Sequence, residues 1–477
     1  MRRLLILLIS TLCFSEMNWE LEIVDSEYYA TGNLDFAWCD IALDTSGIPH
    51  ITYYKDAHLV HASRYNTGWE KEVVESGLLY TCFSFIFDDN NIGHLSYYRT
   101  DTISNMTYLC YAKFENNNWV TNVADSFYGV LTPYWFFWGY FKTSLDLDTF
   151  NLPGIAYTSW NHPDSVFYIK YAHFDGISWN VSVVEYDSFW TNTVPSDWSP
   201  SLKFDQNGVP WITFYHCPFT TGGDTIKLAY YNDTINTWFK IPVICEPETF
   251  VSVSLAFDSL NHPCIAHGIT CDLFYSWWNG TTWISEDIID ISLYHAEVDL
   301  KLDNYNNPHI AFFGDFFTPS PDYCYKDSIW HIYMMFDSVG YAWRDISLDL
   351  DTNNNPHLSY YYCPGGVCGI RYAKCTFVGV EENDAGYRMY DTGLKMEILP
   401  SISYDVLNIE YDLKNWGGVS MEIYDITGAR RKSIKLVNCH PGHHQKAMNL
   451  ADLVSGVYFL VLKQGSEKVS KKFILMR

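Results

Sequence analysis

Ser347-Leu348-Asp349-Leu350-Asp351-Thr352-Asn353-Asn354-Asn355-Pro356-His357-Leu358-Ser359-Tyr360 is an alternating strand, a turn and a second strand that opens on proline. Leu348 and Leu350 alternate with polar neighbours, the period-2 pattern of a short strand. Asn353 to Asn355 supply turn chemistry, because asparagine tolerates positive φ. Pro356 sits at a strand's first position, where no ladder donor is lost. The phrase returns seven times, marked by Asp44, Asp88, Asp148, Asp205, Asp258, Asp303 and Asp351. These are 44, 60, 57, 53, 45 and 48 residues apart. After each comes a Tyr-rich strand, and after the first six a strand led by Trp69, Trp119, Trp179, Trp238, Trp283 or Trp330. About four short strands per unit at this period predict the blades of a seven-bladed β-propeller.

The seventh unit lacks its Trp strand. Asn18-Trp19-Glu20-Leu21-Glu22-Ile23-Val24-Asp25-Ser26 matches Gly68-Trp69-Glu70-Lys71-Glu72-Val73-Val74-Glu75-Ser76 and stands before the first unit. The N-terminal strand is therefore expected to complete the last blade and close the ring, leaving no unpaired edge at the seam.

Recurrence also bears on function. A catalytic residue has no reason to recur seven times, so the landmark Asp residues are expected to accept turn amides. His50, His94, His309 and His357 share one repeat position, which Gly154, Trp211 and Cys264 take in the third to fifth units. They are expected to pack between blades. The high aromatic content, 18% of residues with 37 Tyr, reads first as filling for sheet faces.

Met1-Arg2-Arg3 followed by the apolar Leu4 to Leu12 has the form of a secretory signal peptide, placed at 1–15. No later stretch has the length and apolarity of a transmembrane helix. Cys13 with Leu12 before it is a poor lipidation site. In an exported chain the cysteines are free to pair. Cys363 and Cys368 flank one hairpin turn and Cys264 and Cys271 the equivalent turn of the fifth unit, making both pairs disulfide candidates beside the alternative of buried thiols.

The repeat ends near residue 379, and 380–393 read as a linker. Strands then resume at Leu394–Leu399, Val406–Leu413, Val419–Tyr424, Lys432–Leu436, Val457–Leu462 and Lys471–Leu475, the pattern of a small Ig-like β-sandwich over 394–477. The charge changes there too. Residues 394–477 carry 12 Lys and Arg against 8 Asp and Glu, the rest of the chain 18 against 48. So acidic a body excludes nucleic acid and anionic membranes as bulk electrostatic partners.

Met421-Glu422-Ile423-Tyr424-Asp425-Ile426-Thr427-Gly428, Leu453-Val454-Ser455-Gly456-Val457-Tyr458-Phe459 and Lys471-Lys472-Phe473-Ile474-Leu475 resemble the C-terminal sorting domain of type IX secretion cargo. The family's usual Pro-Asn-Pro is Leu399-Pro400-Ser401-Ile402 here. The resemblance implies export across an outer membrane, with the type IX machinery as partner and a secreted or surface location. The repeat in turn is similar to sialidase-like and other secreted bacterial propellers. The sialidase motif Ser-x-Asp-x-Gly-x-Thr-Trp is absent, however. Arg64, Arg99, Arg344 and Arg371, with two of them inside the strand pattern, do not build that family's carboxylate-binding triad.

Loops before the innermost strands carry the length variation and many aromatics. Trp38, Tyr140, Trp198, Tyr294 and Trp343, with Arg344 and Asp345, are the candidate ligand-binding residues, since aromatic rings beside polar groups stack on sugars. The expected function is non-catalytic binding of an extracellular glycan or surface protein. The rival is a glycan hydrolase drawing its carboxylates from Asp40, Asp315 and Asp345. No cofactor is expected. Asp349-x-Asp351-x-Asn353 alternates oxygen ligands as calcium prefers, but without the Gly-then-Glu completion of a dedicated loop.

Overall fold

A computed structural model describes residues 17–28, 38–77, 83–115, 118–129, 142–161, 166–188, 199–216, 224–246, 250–269, 272–290, 297–314, 320–327, 329–333, 345–363, 367–377, 395–398, 402–403, 406–413, 417–425, 429–439, 442–450, 452–464 and 467–475. All regular elements among them are strands. The chain divides into two compact units, Met1–Val380 and Glu381–Arg477.

The first unit holds seven four-stranded antiparallel sheets. In the first, Cys39–Leu43, Pro49–Lys55, His58–Tyr65 and Gly68–Ser76 pair in chain order. The next five repeat this with first strands Phe83–Phe87, Thr143–Leu147, Ser201–Phe204, Phe250–Phe257 and Val298–Leu302. The seventh is Ile346–Leu350, Pro356–Tyr362 and Val367–Phe377, with Met17–Tyr28 as its outermost strand and Trp19 opposite Cys375. Each first strand lies against the first strand of the next sheet, and the seventh against the first, so the order is cyclic.

The turns between first and second strands owe their shape to the landmark carboxylates. Asp44 Oδ1 accepts the amides of Ser46 and Ile48 at 2.9 and 2.8 Å. Asp88, Asp148, Asp205, Asp258, Asp303 and Asp351 each accept the same two turn amides. The turn then needs a residue at positive φ, and Asn91, Asn151, Asn261, Asn306 and Asn354 or Gly47 and Gly208 supply it.

Two sets of contacts join neighbouring sheets. The first is apolar. Trp19, Trp69, Trp119, Trp179, Trp238 and Trp330 each meet a Tyr or His of the preceding sheet's third strand edge to face, at centroid distances from 5.3 to 5.8 Å. Trp283, whose counterpart is Leu228, packs in a cluster built on Leu228, Leu255 and Ile265 with Trp211 and Phe257. Four indole nitrogens donate to the residue three beyond the preceding sheet's own Trp: Trp69 to Glu22, Trp119 to Glu72, Trp238 to Ser182 and Trp330 to Glu286, at 3.0 to 3.1 Å.

The second set is polar and runs round the first strands. Asp40 accepts the Phe85 amide at 2.7 Å, Ser84 that of Leu145 at 3.1 Å and Ser144 that of Leu202 at 2.9 Å. Ser201 accepts from Leu255 and Ser254 from Leu300, both at 3.0 Å. Asp299 accepts from Leu348 at 2.8 Å and Ser347 from Ile41 at 3.3 Å. One short oxygen-bearing side chain per sheet thus satisfies an edge amide of the next. A bare first strand would otherwise present an unpaired row.

The second unit is two sheets over one core. Lys395–Ile398, Val406–Leu413 and Gly442–Asn449 form one. Ile402–Ser403, Glu467–Leu475, Gly456–Gln464, Gly417–Asp425 and Arg430–Cys439 form the other, its first pair parallel. Leu407, Ile409, Met421, Ile423, Met448, Leu460 and Leu462 are buried between them.

Candidate functional site

A cavity of about 720 Å3 opens between the third and fourth sheets, where the repeat is broken in two ways. Gly154 takes the position that is His in four sheets, and a Cβ there would lie 2.7 Å from the Phe204 ring of the fourth sheet. Phe204 therefore leans into the space that a His ring fills elsewhere. The turn residue of the fourth sheet is Gly208, not Asn. In the neighbouring repeats that Asn bridges to the preceding turn: Asn91 accepts the Thr45 amide at 2.8 Å, Asn261 that of Gln206 at 2.9 Å and Asn306 that of Ser259 at 2.8 Å. Gly208 has no side chain to make this bond, and its place against Thr149 leaves the cleft open.

The walls are aromatic. Trp238 meets Tyr171 edge to face at 5.3 Å and Tyr231 at 5.2 Å, and His173 stacks on Tyr171 with a 9° interplanar angle. Asp148 holds His173 Nε2 at 3.1 Å with the oxygen its turn leaves over. Phe150, 81% exposed, stands at the mouth with Asp233, Asn180, Asn207, Asn236 and Lys240. Rings for stacking, beside carboxylate, amide and ammonium groups for hydroxyls, fit a neutral polar ring such as a pyranose. The Asp148 carboxylate is committed to two amides and an imidazole, which makes it a scaffold group.

The sequence candidates fall as follows. Trp38 is buried, 5% exposed. Asp345 is half-buried and accepts the Cys39 amide at 2.8 Å. Burial holds its carboxyl well above the usual range, with Glu297 adding to the effect and Lys142 opposing it. Burial likewise pushes Asp40 up to about 6, against the Ser347 hydroxyl that donates to it at 2.5 Å. Trp38, Asp40 and Asp345 share a small cavity of about 130 Å3 with the first-strand ring, including Ser84, Ser144, Asp299 and Ser347. Tyr140, Trp198, Tyr294, Asp315, Trp343 and Arg344 lie outside the described residues.

Cys363 and Cys368 form a disulfide. Cys264 is a buried free thiol, and Cys271 lies outside the described residues. Asp349 accepts the Leu43 amide and Asp351 its own turn amides. Among the described residues no group of His, Cys, Asp and Glu is spaced to hold a metal ion.

His94, His309 and His357 each place Nε2 3.6 Å from the landmark Asp and Nδ1 within 2.5 to 2.7 Å of a Tyr hydroxyl. The rings are sealed between sheets, and burial lowers all three to about 4. They fill the core and have no access to a substrate.

The tail bears on the chain's destination. Residues 397–476 match the secretion-system C-terminal sorting domain. A type IX tail of this kind implies export to the cell surface or secretion, and no helix of the described residues is long and apolar enough to cross a membrane. Among curated proteins none matches the chain.

Solved structures similar to this chain include a protein of unknown function from Dyadobacter fermentans, at 12% identity over 75% of this chain and 99% of that one, with a TM-score of 0.41. AofleA from Arthrobotrys oligospora is 11% identical over 67% of this chain and 90% of that one, at 0.42. The lectin of Aleuria aurantia, a six-bladed β-propeller, is 11% identical over 65% and 96%, also at 0.42. Likenesses at this level bear on neither ligand nor chemistry.

Proposed function

We propose that the protein is an exported, non-catalytic binding protein whose body is a seven-bladed β-propeller and whose ligand is a glycan of the cell exterior. In this reading residues 1–15 are a signal peptide, 16–379 the propeller, 380–393 a linker and 394–477 an Ig-like sorting sandwich. Seven four-stranded sheets in cyclic order support the blade count, and the two-sheet core of 395–475 supports the sandwich.

The observation that carries the binding reading is the cleft between the third and fourth sheets. It is roomy, walled by aromatic rings, and sits where Gly154 and Gly208 interrupt the repeat. A glycan array probed with the full chain, followed by a product assay on each hit, tests it. Binding without turnover is expected, weakened about fivefold in Tyr231→Ala, as loss of one stacking ring costs about 1 kcal/mol. A hit whose affinity is the same in Tyr231→Ala and Phe150→Ala would move the site elsewhere.

The second reading, a hydrolase using Asp40 and Asp345, is favoured by one observation, the raised carboxyls of that pair. A carboxyl raised toward neutrality by burial is the kind of group that serves as a general acid. Turnover lost in Asp345→Asn would support it.

A further inference from the structure

In every sheet of the ring the Trp that leads the outermost strand has a fixed partner across the ladder. These partners are Arg64, Phe114, Phe174, Tyr231, Trp278, Lys326 and Cys375, opposite Trp69, Trp119, Trp179, Trp238, Trp283, Trp330 and Trp19. Three residues past the preceding sheet's Trp stand, in the same order, Glu22, Glu72, Asn122, Ser182, Ile241, Glu286 and Tyr333. The two sets covary in charge. Glu22 meets Arg64 at 2.6 Å and Glu286 meets Lys326 at 2.5 Å, while at four junctions both positions hold neutral residues. Glu72 breaks the rule, because its counterpart is Phe114.

The junction of the first and second sheets is where that break falls, and it contains a cavity of about 420 Å3. Its lining includes Glu72, Phe114, Trp119, Glu70 and Tyr65. The third-strand position that is Tyr in five sheets is the smaller His61 here. His61 Nδ1 lies 2.9 Å from Glu72 Oε1, and the Trp119 indole donates to the same oxygen at 3.0 Å. Among the described residues His61 is the ion-pair partner of Glu72, and the cavity's one lysine, Lys71, is drawn to Asp25 at 3.1 Å. The sixth sheet shows what the cleft lacks. There the Lys326 ammonium bonds Glu286 while lying 5.7 Å from the ring centre of Trp330 and 5.5 Å from that of Trp277.

We propose that the cleft between the first and second sheets is a second binding site, and that it takes the cationic side chain of a lysine or arginine from a partner protein. The incoming ammonium or guanidinium occupies the place that Lys326 and Arg64 fill in their own junctions, against Glu72 and over the Trp119 and Phe114 rings. A carboxylate plus aromatic faces is the chemistry that binds such a cation. The acidic body, with 48 Asp and Glu to 18 Lys and Arg outside residues 394–477, draws cations toward it. The site is independent of the cleft between the third and fourth sheets.

The test is calorimetric titration of the full chain with Nα-acetyl-lysine N-methylamide and its arginine analogue, with glucosamine as a third arm. Saturable binding of the amino-acid analogues is expected, reduced about tenfold or more in Glu72→Gln and unchanged in Tyr231→Ala. Phe114→Lys, which supplies the missing cation from within, should abolish binding while keeping or raising the melting temperature. Absence of analogue binding, binding of glucosamine alone, or a Phe114→Lys protein that folds and still binds would each overturn the proposal.

Discussion

The indole nitrogen of Trp69 donates to Glu22 at 3.0 Å, across the seam where the chain's first strand meets its first complete sheet. Arg64 holds the same carboxylate at 2.6 Å, and Tyr53 and Lys55 reach Asp25 at 2.7 and 3.0 Å. The Met17–Tyr28 strand is therefore bonded on two sides, by ladder to Val367–Phe377 and by side chains to the first sheet. Deleting residues 17–28 should abolish cooperative melting of the body. Glu22→Ala should cost about 1 to 2 kcal/mol, since it strands the Trp69 donor and the half-exposed Arg64 together. A melting curve that is unchanged in the deletion would refute the seam.

Ser144→Ala removes the acceptor of the Leu202 amide in the first-strand ring. Leu202 is fully buried, so its amide has no water to turn to. The expected loss is about 1 to 3 kcal/mol in urea denaturation, with an unchanged m value. Ser201→Ala should behave alike, because it bares the amide of the equally buried Leu255.

Acid should destabilise the body between pH 6.5 and about 4. His50, His94, His309 and His357 are lowered to about 4 and His267 to about 3, chiefly by burial. The unfolded chain binds protons at these groups first, so their contribution is complete above pH 6.5 and is lost as pH falls through 4. Asp40, raised to about 6, and Asp345, raised well above the usual range, work in the opposite direction, since their protonated forms suit the fold. Five imidazoles outweigh these two carboxyls. Melting temperature should fall from pH 7 to pH 5, and the slope should shrink in His309→Gln. A flat profile would contradict the sealed neutral imidazoles.

Residues 394–477 fused behind a secreted reporter should carry it outside a host with the type IX system. Removing them should leave the melting of the body as it was. A reporter retained in the periplasm would count against the sorting role.

Reduction of Cys363–Cys368 should lower stability by about 2 kcal/mol in the loop-entropy account, because the bridge closes only a short turn. Differential scanning with and without reductant measures it.

Repetition explains what could be read from the residues. Asp44 and its six counterparts announce the turn because the same two amides must be satisfied each time. The likeness of Asn18–Ser26 to Gly68–Ser76 pointed to the outermost slot, and Trp19 stands there opposite Cys375. What was not legible lacks a period or a positive signal. Gly442–Asn449 reads Gly-His-His-Gln-Lys-Ala-Met-Asn, too polar to announce a strand, yet it pairs along the whole of Val406–Leu413. The ring from Asp40 through Ser84, Ser144 and Ser201 carries no signal of its own in the residues, because serine and aspartate are also what a solvated strand face carries. The two clefts arise from side chains that are missing or exchanged, Gly154 and Gly208 in one and Phe114 in the other. Such vacancies show only when the sheets are laid against each other.

The pairing of Met17–Tyr28 with Val367–Phe377 fixes an order of events. Within the seven-sheet unit the first strand made is the one whose partner is made last, about 350 residues later. Until then its alternating apolar face, and the third strand of the seventh sheet in turn, are sticky edges open to any chain nearby. The body thus has no closed form until the seventh sheet is made, and it gains one in a single late step.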